Sequence, residues 1–431
     1  MNVSDSERVA TNLARDGYEM TGDEAAADVV IFNTCSVRER AEHKLYTRVG
    51  HIRHAEGPKP IVGIMGCVAQ LEGETLFKKI QGVDFVLGTR AVGRISSAVD
   101  AALGGESRYL DVGEREDNYD WTVADTHRHS PFVAFVPIIE GCNKFCTYCI
   151  VPFSRGRERS LPASEIVRQV SALRQSGVKE VHLIGQNVNS YRPETDSGLE
   201  GFAGKSAFSR LLRAVAATGM ERIKFTTSFP RDFRDDIVDS IEENENLCNW
   251  VHLPVQSGSN RVLGLMKRGH TIDSYKRKID RIRSSTRNIS ITTDVIVGFP
   301  GETEADFLDT VELFEYCQYD AAYIFKYSPR PGTPAFDMSD TVSPAEKTIR
   351  FLELEKVQRR LQAERLNSFV VGTVLKVLVE GTSARNDDAL TGHSTCHRVV
   401  NFKGSMELLG NIVDVRITEA RSNSLVGEVV Q

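Results

Sequence analysis

Cys142, Cys146 and Cys149 fall within eight residues, in the stretch Gly141-Cys142-Asn143-Lys144-Phe145-Cys146-Thr147-Tyr148-Cys149, and that crowding limits what the surrounding chain can be. Three thiols cannot all pair among themselves, and loops this tight do not close a stable bridge. They read as metal ligands. A structural zinc site closes with four ligands, whereas this stretch supplies three and no histidine at ligand spacing, so one coordination position stays open. An iron–sulfur cluster with one uncapped iron fits that count. The structural alternative is a zinc knuckle completed by a distant His127 or His129.

A chain of 431 residues exceeds what one core usually holds, so two or three domains are expected. Apolar residues at 41% and charged residues at 26% are ordinary for a soluble globular protein. No run of eighteen apolar residues occurs and the N-terminus carries no basic-then-apolar signal pattern, so a cytoplasmic location and no membrane partner are expected. The eight cysteines are clustered rather than spread as an even framework, which favours metal ligation in a reducing compartment over disulfides. The net charge of −6 (53 minus 59) gives no global pull towards nucleic acid, and any RNA contact must come from local basic patches.

From the N-terminus, Ser4 and Asp5 precede a helical pattern, Glu7 to Arg15, with Val9, Ala10 and Leu13 on one face. Buried strands are expected at 27–33, 60–65 and 84–87, with helices at about 37–54 and 92–103 between and after them. This alternation predicts a parallel sheet with ligands gathered past the C-terminal strand ends, where Cys35 and Cys67 stand. The chain opens on a helix, so the first strand of such a unit is expected to be missing. Residues 104–130 are polar and aperiodic and read as a linker whose Tyr119 and Trp121 serve as a hydrophobic anchor.

From Pro131 the alternation becomes regular, with six strands expected at 132–140, 180–185, 222–227, 250–255, 289–298 and 321–327 and helices between them. These make an incomplete βα barrel with its chemistry on the loops after the strands. A long helix capped by Ser343 runs to about Leu366. Four strands at 369–379, 398–402, 411–417 and 425–430 then predict a small antiparallel β-barrel of the oligonucleotide-binding style. The boundaries expected are 1–104, a linker at 105–130, 131–366 and 367–431. The fold class is α/β throughout the first two domains.

Strand-end loops offer polar contacts for a cofactor on one barrel face: Gln186 and Asn187 after the second strand, Ser228 after the third, Gln256 and Ser257 after the fourth, and Asp294 on the fifth. Arg155 and Arg157, just past the cysteine loop, could take a carboxylate or an RNA phosphate. Lys267, Arg268 and residues 276–278 read as an exposed basic helix face, and Cys248 and Cys317 as small buried residues. Cys396 has no partner at ligand spacing.

Taken together, the stretches 33–38, 140–152 and 185–191 (Gly-Gln-Asn-Val-Asn-Ser-Tyr) resemble the methylthiotransferases of the radical S-adenosylmethionine superfamily, in the branch that acts on N6-isopentenylated adenosine of tRNA. The resemblance covers nearly the whole chain. It implies an N-terminal methylthiotransferase domain, a radical barrel and a C-terminal TRAM domain that binds RNA. It further implies two [4Fe-4S] clusters, one on Cys142, Cys146 and Cys149 and an auxiliary one whose ligands here include Cys35 and Cys67. S-adenosylmethionine is used twice, once to methylate sulfur and once as the source of a 5′-deoxyadenosyl radical. The expected partners are tRNA bearing N6-isopentenyladenosine, an electron donor such as flavodoxin or ferredoxin, and a sulfur donor.

The expected reaction is methylthiolation of carbon 2 of that adenosine, immediately 3′ of the anticodon. Other readings are methylthiolation of a ribosomal protein or of another tRNA adenosine, and a non-catalytic iron–sulfur protein that binds RNA or senses redox state. The chain departs from the family twice. The Gly-Cys-Gln that would precede Met1 is absent, and with it the third auxiliary ligand; the chain as written is therefore expected to be defective in sulfur transfer while still able to cleave the cofactor. Residues Gly392-His393-Ser394-Thr395-Cys396-His397 also stand where the family commonly has basic ones.

Overall fold

The computed structural model describes all residues except 37–38, 55–56, 107, 114–126, 384–385, 422–423 and 431, so Tyr119 and Trp121 lie outside the described residues. The chain divides into two compact units, one formed by residues 1–129, 140–144 and 149–159, the other by 130–139, 145–148 and 160–431.

In the first unit the helix Asn2–Arg15 precedes a parallel sheet whose strands Val29–Thr34, Ile61–Gly66, Phe85–Leu87 and Tyr109–Asp111 pair in chain order. Successive side chains of a strand point to opposite faces, and both faces are covered, which explains the nearly unbroken apolar runs in the sequence. Val62, Ile64 and Val86 pack on Leu45, Val49, Ile52 and Leu76, while Met65, Phe85 and Leu87 pack on Val9, Leu13, Ile95 and Val99. The strand Tyr109–Asp111 falls in what the sequence suggested was linker. Three residues are too few to show a period, and what holds them is tertiary: Arg94 donates to both oxygens of Asp111, at 2.6 and 3.0 Å.

In the second unit six strands form two three-stranded parallel sheets. The first comprises Val133–Pro137, Glu180–Ile184 and Arg222–Phe225; the second Trp250–His252, Ser290–Val297 and Ala321–Lys326. Backbone bonds join them, with Cys248 N–H donating to Ile223 O at 2.7 Å and Ser228 N–H to His252 O at 3.0 Å. Helices follow the strands, and Thr271 and Thr303 start two of them with reciprocal capping boxes. The result is the incomplete βα barrel.

The helix Pro344–Phe369 leads into a closed five-stranded barrel of Val374–Ser383, Asn386–Ser394, Val399–Lys403, Ile412–Ala420 and Leu425–Val429. Two corrections follow. The strand Asn386–Ser394 was not expected, because its largely polar sequence hides the alternation that Leu378–His393 and Gly392–Val400 pairing imposes. The barrel is also not wholly antiparallel, since Val399–Lys403 runs parallel to Leu425–Val429. It is tied to the larger barrel by Arg222, whose guanidinium donates to His393 O and Ser394 O at 2.8 and 2.9 Å.

Candidate metal centre and cofactor site

Cys35 and Cys67 each follow a strand of the N-terminal sheet. Thr34 and Gly66 are the last residues of two paired strands and lie in register, so the two cysteines leave the same sheet edge one residue further on. The Thr34 hydroxyl fixes that edge by donating to Met65 O at 2.8 Å. Gly66 has φ +94°, and a Cβ there would stand 2.5 Å from Asn33 Oδ1 and 2.7 Å from Thr34 O, so only glycine passes the chain into the helix Cys67–Glu72. No disulfide joins any of the eight cysteines.

The cysteine loop is shaped within each unit separately. In the first, Cys142 is buried and its N–H donates to Gly156 O at 3.1 Å, while Asn143 Oδ1 accepts from Glu158 N–H at 3.1 Å. Gly141, at φ +76°, runs so close to the 156–157 backbone that a Cβ would sit 2.2 Å from Arg157 O. In the second, Thr147 donates through its N–H to Met266 O at 3.1 Å and through its hydroxyl to Leu265 O at 2.9 Å. There Cys146 Sγ accepts from Arg268 Nη1 at 3.5 Å. Among the described residues no group of three or more His, Cys, Asp or Glu side chains is gathered around a single metal position.

The strand-end residues divide into two groups. Gln186 Oε1 and Ser228 Oγ are buried and have no hydrogen-bond partner, at the C-terminal ends of two adjacent parallel strands. Unsatisfied buried polar atoms are costly, and their place at the barrel's chemical face fits a polar ligand such as S-adenosylmethionine. Asp294 is partly exposed, with its carboxylate 3.5 Å from His252 Nε2, and is paired in register with Tyr323, whose ring is 53% exposed. Gln256 takes φ +76° and extends the sheet, its N–H donating to Asp294 O and its carbonyl accepting from Ile296 N–H, both at 2.9 Å.

Two of the expected contacts also take part in local turns. Ser257 is fully buried and its hydroxyl accepts from Ser259 N–H at 3.2 Å, so it shapes the turn. Asn187 is buried, and its backbone carbonyl accepts from Ser190 N–H at 2.9 Å, closing the short turn Val188–Ser190. Asn189 clamps the neighbouring loop, accepting from Phe229 N–H at 2.7 Å and donating to Phe229 O at 2.9 Å.

Arg155 does not serve the contact expected of it. It is 4% exposed and donates to Asp5 at 2.6 Å and Glu140 at 3.1 Å inside the N-terminal unit. Burial pushes the Glu140 carboxyl up to about 7, and the Arg155 charge opposes that shift. Arg157 is exposed, as a phosphate contact would be. Arg268 is the reverse case. Expected on an exposed face, it is 5% exposed and lies with its guanidinium carbon 4.4 Å from the centre of the Phe229 ring. No period or spacing could have revealed it, because a left-handed Lys267 (φ +55°) ends the helix and turns Arg268 away from the basic run.

Comparison with known proteins accords with this geometry. Residues 136–314 match the radical SAM superfamily, residues 1–88 the uncharacterized protein family UPF0004, and residues 369–430 the TRAM domain. The radical S-adenosylmethionine methyltransferase TsrM from Kitasatospora setae shares the fold with a TM-score of 0.56 at 14% identity, over 77% of this chain and 70% of that one. The chain is 42% identical to the tRNA-2-methylthio-N(6)-dimethylallyladenosine synthase of Solibacter usitatus, over 99% of this chain and 95% of the relative. It is 41% identical to that of Actinobacillus succinogenes, over 100% of this chain and 90% of the relative. With three matched regions in one order and identity at this level from end to end, the chain belongs to the tRNA-2-methylthio-N(6)-dimethylallyladenosine synthase family of radical SAM proteins.

Proposed function

We propose that the chain methylthiolates carbon 2 of N6-(dimethylallyl)adenosine in tRNA, immediately 3′ of the anticodon. The observation that carries this is the end-to-end identity to relatives named for that reaction, joined to a cysteine loop and unsatisfied polar atoms suited to the chemistry. An aromatic C–H has no acid–base handle, so the reaction needs a radical. When bound, an iron–sulfur cluster and S-adenosylmethionine supply that radical by one-electron cleavage of the cofactor. Cys142, Cys146 and Cys149 would hold the cluster and leave its fourth iron open. Gln186 and Ser228 would orient the cofactor, with Gln256 and Asp294 beside them, and the five-stranded barrel would grip tRNA.

In this reading Cys35 and Cys67 contribute to a second cluster that supplies the sulfur. A low-potential electron donor and a separate sulfur donor complete the partners. The alternative substrate, a ribosomal protein side chain, is decided by a deletion strain. Its tRNA is expected to lack the 2-methylthio group and to regain it when the gene is restored. Persistence of that group, with a ribosomal peptide lighter by a methylthio unit, would overturn the assignment. For the second cluster, replacing Cys35 and Cys67 with alanine is expected to lower the iron and sulfide bound per chain by anaerobically reconstituted protein. Unchanged iron would refute it.

A further inference from the structure

We propose that Arg268 is a positioning residue for the radical cluster, raising its reduction potential by a charged hydrogen bond to the Cys146 sulfur. The inference rests on the reading of Cys142, Cys146 and Cys149 as cluster ligands. Arg268 Nη1 is 3.5 Å from Cys146 Sγ, and Nη2 donates to Pro254 O at 2.7 Å, so the plane of the fork is fixed by the backbone after the fourth barrel strand. The Phe229 ring covers one face of the guanidinium at 4.4 Å and holds it in a dry environment. The same turn is bonded to the cysteine loop next to the sulfur, through Thr147 to Met266 O and Leu265 O. Cation and thiolate are therefore held by shared backbone anchors.

A guanidinium keeps its proton at any pH a protein survives, so burying it at 5% exposure commits a positive charge to this spot. A cluster held by three thiolates gains one negative charge when a low-potential donor reduces it by one electron. A fixed cation at one sulfur stabilises that reduced form more than the oxidised one, and in a low dielectric the preference is amplified. Hydrogen bonds from outside the ligand set are a general means of tuning such centres. The consequence is an easier electron transfer to a centre that must be reduced before the cofactor can be cleaved.

The test uses the full chain, reconstituted anaerobically and titrated by EPR, with the radical cluster identified by its signal change on adding S-adenosylmethionine. Arg268→Gln is expected to shift the one-electron equilibrium at least tenfold towards the oxidised cluster, about 59 mV. Arg268→Lys, which keeps the charge, is expected to recover at least half of that shift. An Arg268→Gln cluster that titrates at the wild-type potential would overturn the inference. Wild-type protein labelled with 15N-arginine gives a reading that does not depend on how well that variant loads iron. Pulsed EPR of its reduced cluster is expected to show a weak 15N coupling that Arg268→Lys lacks, and a loaded cluster with no such coupling refutes the role. Failure of the cluster assignment looks different: a wild-type loop that binds no iron refutes both.

Discussion

Gly66 shows how much of this site depends on single atoms. Its left-handed backbone and the 2.5 Å and 2.7 Å approaches to Asn33 and Thr34 leave no room for a side chain, so Gly66→Ala must move the strand end that carries Cys67. The variant is expected to lose about 1–3 kcal/mol of stability in the N-terminal unit, read as a lower urea midpoint; a midpoint equal to wild type would show the edge to be compliant. Arg155 makes the complementary case for charge. Its removal in Arg155→Met leaves buried Glu140 without that cation and Asp5 with the more distant Arg8 at 3.9 Å, which costs about 3–5 kcal/mol.

That cost has a predictable pH dependence. The folded-state Glu140 carboxyl lies at about 7, above its ordinary 4.5, so its ionisation takes stability away as pH rises through that window. The deficit of Arg155→Met is therefore expected to be larger at pH 8 than at pH 5, where Glu140 can be protonated. A deficit independent of pH would show that packing, rather than charge, is what Arg155 supplies.

At the scale of elements, what was legible in the sequence is what local chemistry decides. Cys142, Cys146 and Cys149 declare themselves because their spacing is contiguous, and strands such as Ile61–Gly66 and Val133–Pro137 because burial on both faces makes apolar runs. The strand Asn386–Ser394 and the short Tyr109–Asp111 were hidden, since neighbours rather than composition hold them in place. Arg268 was misplaced because a basic residue in a basic run looks solvated until the backbone turns it inward. Loops obey the same rule, and Asn189 is an example whose side chain replaces a missing strand pairing for Phe229. Asn189→Ala removes the acceptor of the buried Phe229 N–H, while Phe229 O keeps the Asp232 N–H at 3.0 Å, and is expected to cost about 1–3 kcal/mol. Slower hydrogen exchange at Phe229 would have to become faster in the variant; unchanged protection there would mean water replaces the amide.

At the scale of the molecule, the floor of the large barrel couples it to the five-stranded one through buried ionisable groups. Glu180 pairs with Arg222 at 2.8 Å, Lys224 lies 4.1 Å over the Trp250 ring, and His397 stacks on His393 at 5.0 Å, itself bonded to Glu380. Burial drives Lys224 down to about 7 against the pull of Glu180, and burial likewise lowers His182 and His397, the latter to about 2. Each of these bases holds its proton less well folded than unfolded. Between about 7 and the ordinary lysine value of 10.5 the unfolded chain binds the extra proton at position 224, so stability rises with pH across that window. Below the ordinary histidine value of 6.5 it falls further, as His182 and His397 resist charging. Lys224→Met, which keeps the stem over Trp250 and removes the titration, is expected to be more stable than wild type at pH 7 and to flatten the slope above it, which can approach about 1.4 kcal/mol per pH unit for one proton. Urea midpoints at pH 7 and 9 decide the matter. If wild type and variant gain equally between those values, Lys224 keeps its charge in the folded state, and the junction of the two barrels is held by that cation rather than in spite of it.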